Sequence, residues 1–156
     1  MTKTHAMRLL ESKGMPFEIR EYDVEPDDLS AETVARKIAI PIEQVFKTLL
    51  IRGDRNGLCF AVIPGNTELD LKTVAKSTGD RKIDLVTVKE LQSLTGYVRG
   101  GVTALAAKKN FPVLLDETAE LFDLISVSAG QRGIQILLKP QDYVRVTDAK
   151  LGMWGR

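Results

Sequence analysis

Val45-Phe-Lys-Thr-Leu-Leu-Ile51, then Gly53-Asp-Arg-Asn-Gly57, then Leu58-Cys-Phe-Ala-Val-Ile63: this stretch decides the architecture. The two outer runs are rich in β-branched and aromatic residues, and a turn of glycine, aspartate and asparagine joins them. A β-hairpin is the expected solution. Side chains alternate along a strand, so Val45, Lys47, Leu49 and Ile51 share one face while Phe46, Thr48 and Leu50 share the other. Lys47 therefore points the same way as three apolar side chains. Such a lysine either snorkels to the rim or sits in a cleft, where its ammonium can hold a carbonyl or phosphate oxygen.

On the N-terminal side, Ala6, Leu9 and Leu10 predict a helix over Thr4 to Lys13, ended by Gly14. Phe17 and Ile19 alternate as a short strand leading to Tyr22, and the acidic bend Asp23-Val-Glu-Pro-Asp-Asp28 is a loop. Ser30 caps a helix through Ala39, which Pro41 blocks. On the C-terminal side, Asp70 caps a helix through Ser77 with Gly79 at its end, and Lys82 to Val86 reads as a strand. Thr87-Val-Lys-Glu90 is a capping box, in which Glu90 reaches back, opening a helix that ends near Gly96. Pro112 to Leu115, Ile125 to Val127 and Ile134 to Leu138 are further strands, and Pro140 begins a last helix through Val146. About six strands and four or five helices mix hairpins with crossovers. The expectation is an α/β chain of the mixed α+β kind: a single domain over 1–156 with a curved, barrel-like mixed β-sheet flanked by helices.

Composition narrows the function classes. Twenty-two Lys and Arg against 21 Asp and Glu give a net charge of +1 on 156 residues, which excludes binding to nucleic acid by bulk positive charge. The distribution is uneven, because residues 1–35 hold eight acidic and four basic side chains while residues 72–109 hold eight basic and three acidic. A polyanion could use such a field, and scattered solvated lysines would also produce it. A lone cysteine, Cys59, excludes an internal disulfide and reads as a buried small hydrophobe. Without a Cys/His cluster, no zinc site of the usual kind is expected, and neither metal nor cofactor is called for. No apolar run approaches a membrane span and the start lacks a signal-peptide core, so the expected location is the cytoplasm, away from any membrane.

Two more stretches could carry chemistry. In Thr95-Gly-Tyr-Val-Arg-Gly-Gly-Val-Thr103, adjacent Gly100 and Gly101 can present amide donors to a developing negative charge, with Tyr97 as a wall, and a plain turn would fit too. In Val127-Ser-Ala-Gly-Gln-Arg-Gly133, a hairpin turn explains most of the pattern. The functional alternative puts the Ser128 hydroxyl in a pocket with Arg132 at its lip. Ser128 is not read as a nucleophile, since the sole histidine, His5, lies in the first helix and cannot be delivered as its base. Asp116-Glu117 reads as a solvated turn rather than a metal-binding carboxylate pair. Trp154 either docks on the body or marks a contact.

Taken together and in this order, the Lys47, Gly100-Gly101 and Ser128 stretches resemble the YbaK/EbsC family of aminoacyl-tRNA deacylases, related to the editing domain inserted in bacterial prolyl-tRNA synthetases. Pro16-Phe17 and Tyr22 add to the likeness, which covers nearly the whole chain. The resemblance implies a pocket for the aminoacyl end of a mischarged tRNA and hydrolysis of its ester, with Cys-tRNA(Pro) as the first substrate. It implies substrate-assisted catalysis, in which the cysteine thiol attacks its own carbonyl while the protein supplies position and amide donors. Lys47 corresponds to the family's essential lysine, and Gly101 joins it as a catalytic position. Tyr22, Thr48, Tyr97, Gly100, Thr103, Ser128, Gly130 and Arg132 correspond to substrate-binding positions. Mischarged tRNA is the implied partner, with prolyl-tRNA synthetase a second, and the implied assembly is a monomer or weak dimer. Ala104 stands where the family's glycine loop usually has proline, Ala129 where glycine is common and Gln131 where lysine is common. The alternatives are a deacylase for Ala- or Ser-charged tRNA, and a non-catalytic nucleotide- or RNA-binding module on the same fold.

Overall fold

The computed structural model describes residues 2–156. Helix α1 (His5–Ser12) starts at Thr4, whose side chain accepts from the Met7 N–H, and β1 (Phe17–Glu21) follows. Ser30 caps α2 (Ala31–Ile38) by accepting from the Thr33 N–H. The hairpin forms as expected: β2 (Phe46–Gly53) and β3 (Gly57–Pro64) pair antiparallel with Lys47 opposite Ile63. Asp70 caps α3 (Leu71–Thr78), and Gly79 closes it at φ +81°. After β4 (Ile83–Leu85), Thr87 caps α4 (Val88–Thr95). Only half of the expected capping box is made, because the Glu90 carboxylate accepts from the Thr87 hydroxyl and from Arg52 rather than from the Thr87 N–H. Then come β5 (Val113–Asp116), β6 (Ile125–Ser128), β7 (Ile134–Leu138), α5 (Pro140–Thr147) with Pro140 in its first turn, and β8 (Lys150–Gly152).

The strands divide between two sheets rather than forming one barrel-like sheet. One has the order β1-β7-β6, all antiparallel, and the other β4-β2-β3-β5-β8, with β5 parallel to both β3 and β8. A parallel bridge between Val45 and Ser126 joins them. Along the β2 edge the sheets meet only at that bridge. The outer edge of β2 pairs with β4 only at Ile51 to Gly53, and its first residues extend past the end of that ladder. A gap therefore opens between the sheets beside Phe46 to Leu49.

The main core fills the space between the sheets: Phe46 and Leu50 of β2 meet Ile125 and Val127 of β6 and Ile136 of β7, with α1 supplying Met7 and Leu10. Complete burial of each such side chain contributes about 1.5–3 kcal/mol. A second cluster, including Ile51, Ala61, Ile63 and Val74, covers the other face of the five-stranded sheet under α3. A third fixes α2 through Val34 and Ile38 against Val45 and Leu137.

Asp116 departs from expectation. It is 3% exposed rather than solvated. One carboxylate oxygen accepts from the Trp154 and Gly155 N–H groups at 3.1 and 2.8 Å, and the other from the Thr118 N–H and hydroxyl. The C-terminal segment lies across it, Trp154 docks in the second cluster, and Glu68 exchanges backbone hydrogen bonds with Arg156. Among the described residues, no helix is long and apolar enough to cross a membrane.

Candidate functional site

The gap beside β2 is a cleft of about 610 Å³. Lys47 and Thr48 line it from β2, Ser128 and Gln135 from the three-stranded sheet, and Arg99 and Gly100 from the glycine loop. Lys47 is half-buried, and its Nζ donates to the Gly65 carbonyl at 3.3 Å. Gly65 makes that contact possible. A Cβ there would sit 2.6 Å from the Ala31 Cβ and 2.7 Å from the Ile42 Cδ1, so only glycine lets the chain leaving β3 pass beneath α2. Among the described residues Lys47 forms no ion pair, and its remaining N–H groups are available to a ligand.

The glycine loop offers one free amide rather than two. Gly101 donates its N–H to the Val98 carbonyl at 2.9 Å, closing a tight turn, whereas the Gly100 N–H has no partner among the described residues. Gly100 sits at φ +86°, a conformation that L side chains rarely adopt. Gly101 serves close packing: a Cβ there would lie 2.9 Å from the Gln131 Cα and 3.1 Å from the Arg132 nitrogen. Arg132 is exposed and is not among the cleft's lining residues; it donates from Nε to the Arg99 carbonyl at 2.8 Å and pins the loop from outside.

Tyr97 and Thr103 stand behind the cleft rather than on its wall. Tyr97 is buried in the main core, with its hydroxyl 2.7 Å from the Leu105 carbonyl and 3.0 Å from that of Ala106, and burial raises its pKa. Its ring closes on Gly130, where a Cβ would come within 2.9 Å of Cε1. Thr103 is fully buried and accepts from the Leu105 N–H. These bonds brace the loop across Ala104. Tyr22 lies on the far side of Gly100, beside Asp23, and its N–H donates to the Gly133 carbonyl.

Two side chains point to a ligand. Thr48 Oγ1 is buried without a hydrogen-bond partner, although such groups are nearly always paired. Gln135, hidden in the sequence inside an aliphatic run, accepts through Oε1 from the Ser126 hydroxyl at 2.8 Å. Its NH₂ has no partner among the described residues and borders the cleft. A single glutamine among four aliphatic residues was the available signal. Across the ladder, the Ser128 hydroxyl accepts from the Gly130 N–H at 3.2 Å.

The cleft is thus rich in donors: the Lys47 ammonium, the Gly100 amide, the Gln135 amide and the Thr48 hydroxyl. Among the described residues, no histidine, cysteine or aspartate lines it, and its one carboxylate is the exposed Glu32. Cys59 borders a different cavity of about 830 Å³, and burial pushes its thiol up to about 11. The arrangement suits an electron-rich ligand carrying carbonyl, ester or phosphate oxygens, and among the described residues no histidine stands by to activate the Ser128 hydroxyl.

Comparison with known proteins agrees with this chemistry. Residues 25–146 match the aminoacyl-tRNA editing domain. The candidate Cys-tRNA(Pro)/Cys-tRNA(Cys) deacylase EbsC of Enterococcus faecalis is 43% identical over 148 residues, 95% of this chain and 90% of that protein. The multifunctional Ser/Thr-tRNA deacylase ProXp-y of Escherichia coli is 24% identical over 155 residues, 97% of this chain and 91% of that one. In fold, the crystal structure of a candidate trans-editing enzyme for prolyl-tRNA synthetase superposes with a TM-score of 0.85 at 21% identity, covering 100% of this chain and 99% of the other. This chain belongs to the YbaK/EbsC family of aminoacyl-tRNA editing domains.

Proposed function

We propose that the protein is a trans-editing deacylase that removes the amino acid from mischarged tRNA, with Cys-tRNA(Pro) as its first substrate. The observation that carries this reading is a cleft that gathers donors and, among the described residues, has no histidine or cysteine to serve as base or nucleophile. Lys47 holds the 3′ end of the tRNA, and the Gly100 N–H polarises the ester carbonyl. The cysteine side chain then supplies the attacking atom. Its sulfur forms a bond to its own carbonyl carbon, the ester C–O bond breaks, and the ribose oxygen takes the thiol proton. Water later opens the released thiolactone to free cysteine. The protein contributes position, and Ser128 shapes the wall against which the short side chain folds back. Prolyl-tRNA synthetase, which generates mischarged tRNA(Pro), is the fitting partner.

A second reading rests on the partnerless Thr48 hydroxyl and the Gln135 amide, which could grip a seryl hydroxyl. Hydrolysis would then need a water positioned by the protein. Single-turnover deacylation of cysteinyl-, seryl- and alanyl-tRNA(Pro), by wild type and Lys47→Ala, separates the cases. Fast loss of cysteine alone, abolished in the variant, is the expected result. Loss of serine instead selects the second reading. Decay of every ester at the rate without protein overturns both and favours an RNA-binding module.

A further inference from the structure

The cleft lies between an acidic segment and a side that carries free cations, and resting on the deacylase reading, we propose that the tRNA acceptor stem leaves over β4, α4 and the glycine loop after them, held by Lys89 and Arg99, with Arg132 at the junction with the acidic segment. The opposite wall is the segment leading into α2. Asp23, Glu25, Asp27, Asp28 and Glu32 crowd into it, and Leu29 and Glu32 line the cleft itself. Of its neighbouring cations, Lys37 is committed to Glu25 at 3.0 Å and to the Asp23 carbonyl, and Arg36 acts on Asp28, so five carboxylates face two cations. Asp28 stays ionised, its pKa lowered by hydrogen bonds from Thr33 and Ser30.

The β4–α4 wall has the reverse character. Among the described residues, Lys89, Arg99 and Arg132 form no ion pair, and Glu90 is occupied by Arg52 at 2.8 Å. Arg99 lines the cleft. The bond from Arg132 Nε to the Arg99 carbonyl sets its guanidinium beside Gly100, where a Cβ would lie 3.3 Å from Nε. Its two NH₂ groups remain for a phosphate, a geometry that arginine matches well. Lys89 is exposed and follows Val88, which lines the cleft with Leu85. Leu85 and Val88 are 59% and 61% exposed, an apolar ledge on which unpaired 3′-terminal bases can rest. Phosphates are repelled by one wall and drawn to the other, within a Debye length of about 8 Å at physiological salt. The path of the stem is fixed accordingly.

The test uses an RNA hairpin that reproduces an acceptor stem with a single-stranded ACCA end and carries no amino acid. Its binding is followed by fluorescence anisotropy across a salt series. For the Lys89→Glu/Arg99→Glu double variant, affinity should fall about tenfold or more, and the slope of log K against log salt should fall by about 1.5, as expected for two lost phosphate contacts. The neutral pair Lys89→Gln/Arg99→Gln should lose less in the same direction. Asp27→Lys, which weakens the repulsion from the acidic wall, should leave affinity unchanged or raise it, the opposite sign to the double variants. Melting curves confirm that each variant is folded. Wild-type affinity and slope in both double variants would overturn the proposal, as would an Asp27→Lys effect equal to theirs. Since this RNA carries no ester, hydrolysis plays no part: absent turnover with this binding pattern would refute the deacylase reading alone.

Discussion

Thr48→Val should make the protein more stable and a poorer enzyme. Valine replaces the hydroxyl with a methyl of nearly the same size on the face shared with Phe46 and Leu50, and it suits a strand at least as well. The Thr48 hydroxyl is buried with no partner, so folding strips its water and returns nothing. Such a group costs about 1–3 kcal/mol, and removing it should recover about 1–2 kcal/mol. For a chain of this size that is a rise in Tm of about 3–6 °C. Thr48 also lines the cleft, and a hydrogen bond from its hydroxyl to substrate would be worth about 0.5–1.5 kcal/mol. kcat/KM should therefore fall about 2- to 13-fold. Calorimetry paired with single-turnover deacylation reads both quantities on the same sample. A lower Tm with unchanged activity would refute the reasoning, because it would mean that the hydroxyl is satisfied in the free protein and idle in catalysis.

Three further outcomes follow from particular contacts. Asp116→Ala strands the N–H groups of Thr118, Trp154 and Gly155, so the protein should lose about 3 kcal/mol or more in urea unfolding, with Trp154 emission shifted to the red. Cys59, its thiol pushed up to about 11 by burial, should resist a disulfide reagent at pH 8 for far longer in the native protein than in guanidinium; equal rates would contradict its burial. The Thr78 hydroxyl, with the amides of Asn56 and Arg55, holds the Asp80 carboxyl below the usual range, and the amides of Lys82 and Arg81 do the same for Asp54. A depressed folded pKa gives stability that is present above the unfolded value, near 3.9, and is lost as pH falls through the folded one. The urea midpoint should hold from pH 7 to 5 and drop below about pH 4, with a shallower drop in Asp80→Asn.

Local signals in the sequence were reliable where one turn of chain decides the outcome. The Thr4, Ser30, Asp70 and Thr87 caps and the 53–57 turn form as their residue types require. What escaped was set by partners distant in the chain. Asp116 looked solvated because the segment that buries it is almost forty residues away, and the three-residue β8 has too little pattern to announce itself. The single expected sheet became two because the β2 edge meets β6 only at the isolated Val45–Ser126 bridge. At the site, Lys47 was legible as a cation on an apolar face. Tyr97 and Thr103 carried the right chemistry, yet their hydroxyls are spent bracing backbone inside the core. Gln135 was masked by its aliphatic neighbours.

The strip from Gly65 to Asp70 is held at one end by β2 and at the other by Trp154 to Arg156. On a ribosome, Trp154 to Arg156 emerge well after the strip they secure. Until they arrive, the carbonyl that orients Lys47 belongs to a segment with one loose end, and a nascent chain has an unfinished site. A product cut short before Trp154, whether by a premature stop or a frameshift, keeps every residue that lines the cleft and lacks the brace. Such a protein's competence to police translation then depends on its own message having been read to that point.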